Sequence, residues 1–66
     1  MTQESGTVKF FKSDKGFGFI VRDNGEDIFF HKKRVIGNVP KKDERVEFEI
    51  EEGKKGLEAV NVQLLN

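Results

Sequence analysis

The sequence predicts an all-β chain of five short strands closed into an antiparallel β-barrel. Three observations carry that expectation. Runs of strand length rich in Val, Ile and Phe are cut by turn segments containing glycine; apolar and charged residues alternate in the C-terminal half; and no stretch has the period of an ordinary helix.

The expected strands run from Thr7 to Lys12, Gly16 to Arg22, Asp27 to His31, Arg45 to Glu51 and Leu57 to Leu65. The segments Ser13-Asp14-Lys15-Gly16, Asp23-Asn24-Gly25, Gly37-Asn38-Val39-Pro40 and Gly53-Lys54-Lys55-Gly56 supply the breaks. In the fourth strand Val46, Phe48 and Ile50 oppose Glu47, Glu49 and Glu51, which gives a buried face and a wet one. The fifth repeats this, with Val60, Val62 and Leu64 against Asn61 and Gln63. The stretch from Lys32 to Glu44 holds Gly37 and Pro40 and reads as a long loop with room for one helical turn. Five antiparallel strands in so short a chain close on themselves, because an open sheet leaves edges unpaired and encloses little core.

With 66 residues the chain has room for a single domain, 1–66, near the lower limit at which a hydrophobic core alone sustains a fold. It has no cysteine and one histidine, so neither a disulfide framework, nor a thiolate zinc site, nor a paired-imidazole metal site is expected, and no cofactor is implied. No signal segment and no membrane span is expected, and the expected location is cytoplasmic. Twelve basic and twelve acidic residues cancel, which argues against a protein that grips duplex DNA mainly through a positive field. The charge is unevenly placed, however. Residues 7–34 hold seven basic against four acidic residues, whereas residues 35–66 hold five against seven.

All seven aromatic residues are Phe, and six fall within residues 10–30. In the third strand Ile28 and Phe30 share one side while Asp27, Phe29 and His31 share the other, so the polar pair carries Phe29 outward. If Ile20 packs inward with them, Phe17 and Phe19 also face out, and the Asp23-Asn24-Gly25 hairpin sets the strands side by side. Val8, Ile20, Ile28, Phe30, Val46, Phe48, Ile50, Val60 and Val62 already fill a small barrel, so three further buried rings would overfill it. Each ring left in water forgoes about 1.5 to 3 kcal/mol of burial, which marks the patch as a binding surface. A flat ring stacks on any nucleobase, contributing about 1 to 3 kcal/mol without reading its identity. Lys9, Lys12, Lys15 and Lys32 lie in or beside the same strands and supply cations for phosphates. The glycines of Lys15-Gly16-Phe17-Gly18-Phe19-Ile20 let a base approach the backbone.

The segments Val8-Lys9-Phe10-Phe11, Lys15-Gly16-Phe17-Gly18-Phe19-Ile20 and Asp27-Ile28-Phe29-Phe30-His31 resemble the bacterial cold-shock proteins in order and spacing, and the two C-terminal strands look like that family's last two. The resemblance implies an oligonucleotide-binding (OB-fold) barrel that binds single-stranded RNA and DNA, acts as an RNA chaperone in the stress response, and uses no small-molecule substrate. It implies binding roles for Lys9, Phe10, Lys15, Phe17, Phe19, Asp27, Phe29, His31 and Lys55, with Phe11 and Lys12 at the rim, while Lys32 offers a phosphate contact of this chain's own. The expected state is a monomer, with a domain-swapped dimer as the alternative. The chain departs from the pattern at Phe10, where the family usually has Trp, at Lys32, often aromatic, and in a shortened loop with Val39-Pro40 in place of a common aromatic. These departures predict a shorter or weaker footprint.

The alternative reading is a small-barrel protein-interaction module using the same Phe face. Catalysis is not expected, since His31 has Asp27 on its strand face but no serine, cysteine or second carboxylate placed to make a reactive site.

Overall fold

Period-two alternation and glycine-bearing turns give the chain five strands in the computed structural model, which describes residues 3–53 and 56–65. They are β1 (Gln3–Lys12), β2 (Phe17–Arg22), β3 (Asp27–His31), β4 (Arg45–Gly53) and β5 (Gly56–Leu64), with a short 3₁₀ turn at Lys32–Arg34. They close into a barrel in the order β1-β2-β3-β5-β4. Four seams are antiparallel, as expected of hairpins and of the long β1–β4 pairing. The fifth seam departs from the expected all-antiparallel barrel: β3 meets β5 in parallel through Phe29 with Glu58 and Phe30 with Ala59. The bridge from Val35 to Val62 prolongs this seam.

β1 begins four residues earlier than its apolar pattern implied, at Gln3. Its first half pairs with β4 and its second half with β2, so one strand serves both sides of the barrel. The β2–β3 turn takes the form that Asp23-Asn24-Gly25 dictates. Gly25 adopts a φ of 94°, its N–H donates to the Arg22 carbonyl at 2.8 Å, and the Asn24 side chain accepts from Glu26 N–H at 3.0 Å.

The core consists of Val8, Ile20, Ile28, Phe30, Val46, Phe48, Ala59 and Val62, all buried. One expectation for the core is corrected and one residue is added to it. Ile50 is only partly buried and packs against the cluster, and Ala59 takes an inward position on β5 that alternation did not assign to it, next to Val60, which is buried as expected. The cause is a β-bulge. Between Glu47 and Glu49 the partner positions on β5 advance from Gln63 to Val60, one residue too many, and Asn61 absorbs the extra residue at a φ of 53°. Parity flips there, so Ala59 and Val62 both reach the cluster while Val60 is buried outside it. A second bulge on β1 shapes the functional face.

Candidate functional site

Val8 faces Ile20 across the β1–β2 seam, but the next registered pair is Phe10 with Phe19, so Lys9 is an extra residue on β1. Without it, alternation from buried Val8 would send Phe10 inward and Phe11 out. With it, Phe10 lies over Phe19 with ring centroids 5.4 Å apart, and Phe11 stacks on core Phe30 at 5.6 Å. Gly18, paired with Phe11, leaves room for this crossing. A Cβ there would run into the Phe10 carbonyl oxygen and lie 2.9 Å from Phe11 Cα and 3.0 Å from the Phe30 ring.

The register of β2 and β3 sets Phe19 beside Phe29 and Phe17 beside His31. Ring centroids are 5.6 Å apart for Phe17 and Phe29, 5.9 Å for Phe19 and Phe29, and 6.5 Å for Phe17 and Phe19. Phe10, Phe17, Phe19 and Phe29 thus form one continuous aromatic face across three strands. All four rings are half-buried, whereas alternation implied an exposed face of Phe17, Phe19 and Phe29. Their tilted and edge-on packing covers part of each ring, which recovers some of the burial a solitary exposed ring would lose. What remains open is a run of aromatic surface wide enough for several flat partners.

Basic side chains border this face. Lys12 Nζ lies 5.8 Å from the Phe10 centroid. Lys9 Nζ donates to Asp27 Oδ2 at 2.9 Å, and both groups are largely exposed, so the pair is loosely held and Asp27 stays accessible. Lys15 sits exposed in the β1–β2 turn. Lys32 N–H donates to the Gly16 carbonyl at 2.9 Å, and its methylene chain lies against Gly16. His31 Nδ1 accepts from Lys33 N–H at 3.1 Å and so caps the 3₁₀ turn, which leaves the neutral ring its proton on Nε2. Lys55 lies outside the described residues.

Nine of the twelve expected positions (Lys9, Phe10, Lys12, Lys15, Phe17, Phe19, Asp27, Phe29 and His31) and a tenth, Lys32, therefore gather on or beside this face. Phe11 is set apart, its ring committed to the edge of the core. Arg22, which counted toward the basic half of the chain, is not available to a ligand. It makes a two-pronged pair with Glu4 at 2.9 and 3.0 Å and a contact with Glu26 at 3.2 Å, and the Glu4 hydrogen bond raises its pKa above the ordinary guanidinium value.

Sequence reasoning missed two features at the ends of the face. One is a recess beyond Phe10 bordered by residues 39–42 and Ser13; the other is a groove beyond Phe29 bordered by the β4–β5 hairpin. Both depend on segments far apart in the chain, and the local signals were the Val39-Pro40 pair and the Lys41-Lys42 doublet that follows it. Among the described residues no group of three or more His, Asp or Glu side chains is placed to hold a metal ion, and no helix is long and apolar enough to cross a membrane.

A sequence profile of the 'Cold-shock' DNA-binding domain matches residues 4–65. The chain is 44% identical over 63 residues to cold shock protein CspC of Bacillus subtilis, covering 91% of this chain and 96% of that protein. It is 48% identical over 64 residues to the major cold shock protein of Micrococcus luteus, with the same coverages of 91% and 96%. The solved structure titled drosophila Unr CSD456 superposes with a TM-score of 0.83 at 26% identity, over 98% of this chain. This chain spans 27% of that longer one.

Proposed function

This chain belongs to the 'Cold-shock' DNA-binding domain family, whose members bind single-stranded nucleic acid and are not enzymes, and on that premise we propose that it holds single-stranded RNA and DNA by stacking bases on Phe10, Phe17, Phe19 and Phe29. The observation that carries this reading is the unbroken run of four rings, with neighbouring centroids 5.4 to 6.5 Å apart and lysines at its border. Every base has a π-face, so such a run accepts successive bases with little regard to identity, while the lysines meet the backbone. Asp27 and His31 add a carboxylate acceptor and an imidazole N–H donor at the edge of the face, within reach of base edges.

Stacking requires unpaired bases, so the protein prefers the open form of a transcript. Binding only that form shifts the pairing equilibrium by mass action and needs no nucleotide hydrolysis. The working unit is a single domain, residues 1–66, acting as an RNA chaperone of low sequence specificity in the cytoplasm. With no net charge on the chain, affinity rests on the rings more than on a long-range field.

Anisotropy titration of a dye-labelled oligothymidine tests the reading. Phe17→Ala or Phe29→Ala should weaken binding by roughly 5- to 150-fold, the equivalent of one stacked base, with a matching duplex bound far more weakly than the single strand by all variants. Unchanged affinity in both variants would remove the stacking mechanism. Binding that ignores salt would favour an apolar protein contact on the same face instead.

A further inference from the structure

The groove beyond Phe29 is a split in the barrel wall. The β3–β5 seam starts at Phe29 with Glu58, so Asp27 and Ile28 at the start of β3 and Gly56 and Leu57 at the start of β5 line the groove without pairing to one another. The Glu26 carbonyl accepts from Arg22 N–H at 2.7 Å, which sets the phase of hydrogen bonding between β2 and β3. Along an antiparallel pair that side alternates residue by residue, so the N–H and C=O of Asp27 point away from β2 and into the split. Phe29, two residues on, uses the same side to join β5. Among the described residues, β3 thus presents a short strand edge that the chain itself leaves open.

The lining of the split defines what fits it. Ile28, Phe29 and Leu57 give it an apolar floor, and Leu57 is 54% exposed. Glu26 and Asp27 stand on the β3 side, Glu51 and Glu58 on the side of the β4–β5 hairpin. A phosphodiester strand continuing from the aromatic face would meet these four carboxylates, which makes nucleic acid a poor occupant. Arg22 is engaged by Glu4 and Glu26, and Lys9 by Asp27. Arg34 approaches the hairpin side, 3.8 Å from Glu51 and 3.9 Å from Glu58, beyond hydrogen-bond length. Among the described residues neither of those carboxylates accepts a hydrogen bond, although the Glu58 side chain is only 25% exposed.

We propose that the split receives an extended, basic segment of a partner protein. The segment adds as a short strand to the open edge of β3 at Asp27, lays an apolar side chain on Ile28 and Leu57, and sends lysine or arginine side chains to Glu51 and Glu58. Strand addition supplies main-chain hydrogen bonds, and its period of two turns alternate side chains toward the apolar floor and the carboxylate rims. A partner's guanidinium at hydrogen-bond distance completes carboxylates that Arg34 only approaches. The site adjoins the aromatic face at Phe29 and leaves Phe10 and Phe17 untouched, so it stands independently of base stacking.

The test is an NMR titration of the isotope-labelled full chain with an end-blocked Arg-Val-Arg-Val-Arg-Val peptide. Amide signals of residues 26–28 and 56–58 should move and saturate, while a Glu-Val-Glu-Val-Glu-Val peptide leaves them in place. The arginine peptide methylated at every backbone nitrogen keeps its charges but cannot pair as a strand, and it should not bind. E51Q/E58Q should weaken the arginine peptide by about 2- to 30-fold, the loss of two exposed ion pairs. Leu57→Asn, a change at an exposed position, should weaken it as well. Shifts confined to the outer face of β4 at residues 47–49, equal binding of the acidic or methylated peptide, or no shift at all would overturn the inference. Oligothymidine that moved the cleft amides more strongly in E51Q/E58Q than in the parent would overturn it too, by assigning the split to nucleic acid. Phe17→Ala, which weakens oligothymidine binding if the rings stack bases, should leave the peptide affinity unchanged, so the two readings fail separately.

Discussion

Gly18 sits where three chain segments converge, and its lack of a side chain allows Phe10 to turn outward while Phe11 packs on Phe30. Gly18→Ala forces a Cβ into the Phe10 carbonyl and the Phe11 backbone, neither of which can yield without breaking the β1–β2 register. The expected cost is about 1 to 3 kcal/mol, with weakened oligothymidine binding as the rings shift, read by urea denaturation followed by circular dichroism. The two kinds of Phe on β3 make the complementary case. Phe30→Ala empties the centre of the core and should cost about 3 to 5 kcal/mol, whereas Phe29→Ala, one position earlier, should lose binding with a much smaller loss of stability. Neighbouring identical residues thus do opposite work because adjacent strand positions face opposite sides.

Two bulges decide what each strand presents. The one at Lys9 reverses parity on β1 and adds Phe10 to the aromatic face; the one at Asn61 reverses it on β5 and brings Ala59 into the core. Asn61 holds its left-handed backbone, φ 53°, with a side-chain hydrogen bond to Glu49 Oε1 at 2.8 Å. Asn tolerates that conformation and β-branched residues do not. Asn61→Val should therefore destabilise the fold by about 1 to 3 kcal/mol, and Asn61→Gly by less, since glycine keeps the backbone and loses only the hydrogen bond. Thermal melts of the two variants against the parent check this order. An Asn61→Val variant as stable as the parent would mean that β5 runs without the bulge.

The barrel as a whole is tied at one end by Asp23, which joins the β2–β3 turn to β4 through Arg45 at 2.9 Å and to β1 through the Ser5 hydroxyl at 2.9 Å. Those hydrogen bonds, Arg45 first, hold the Asp23 carboxyl below its ordinary pKa. A carboxyl depressed on folding adds stability that is present above its unfolded value, about 3.9, and lost as pH falls through the lower folded value. Melting temperatures of the parent and Asp23→Asn should accordingly differ at neutral pH and converge below about pH 4. A gap that persists at low pH would assign the effect to packing instead of charge. High salt should narrow the same gap, because the pair is exposed.

Strand number and the outward side of β2 and β3 were readable from the chain alone, because side-chain direction has a period of two and polar Asp27 and His31 anchor its phase. The family resemblance rested on the same local spacing. Where each strand slips against its neighbour was not readable, since a bulge arises from pairing between residues distant in sequence and leaves the local pattern intact. Hence the fully buried core could be named apart from Ala59, while the outward turn of Phe10 could be taken only from resemblance. The parallel β3–β5 seam, the withdrawal of Arg22 into a pair with Glu4, and the lysine-edged recess beside Phe10 exist only once the barrel closes. Closure brings together residues that local propensity treats as unrelated, and their charges and shapes then act as one surface.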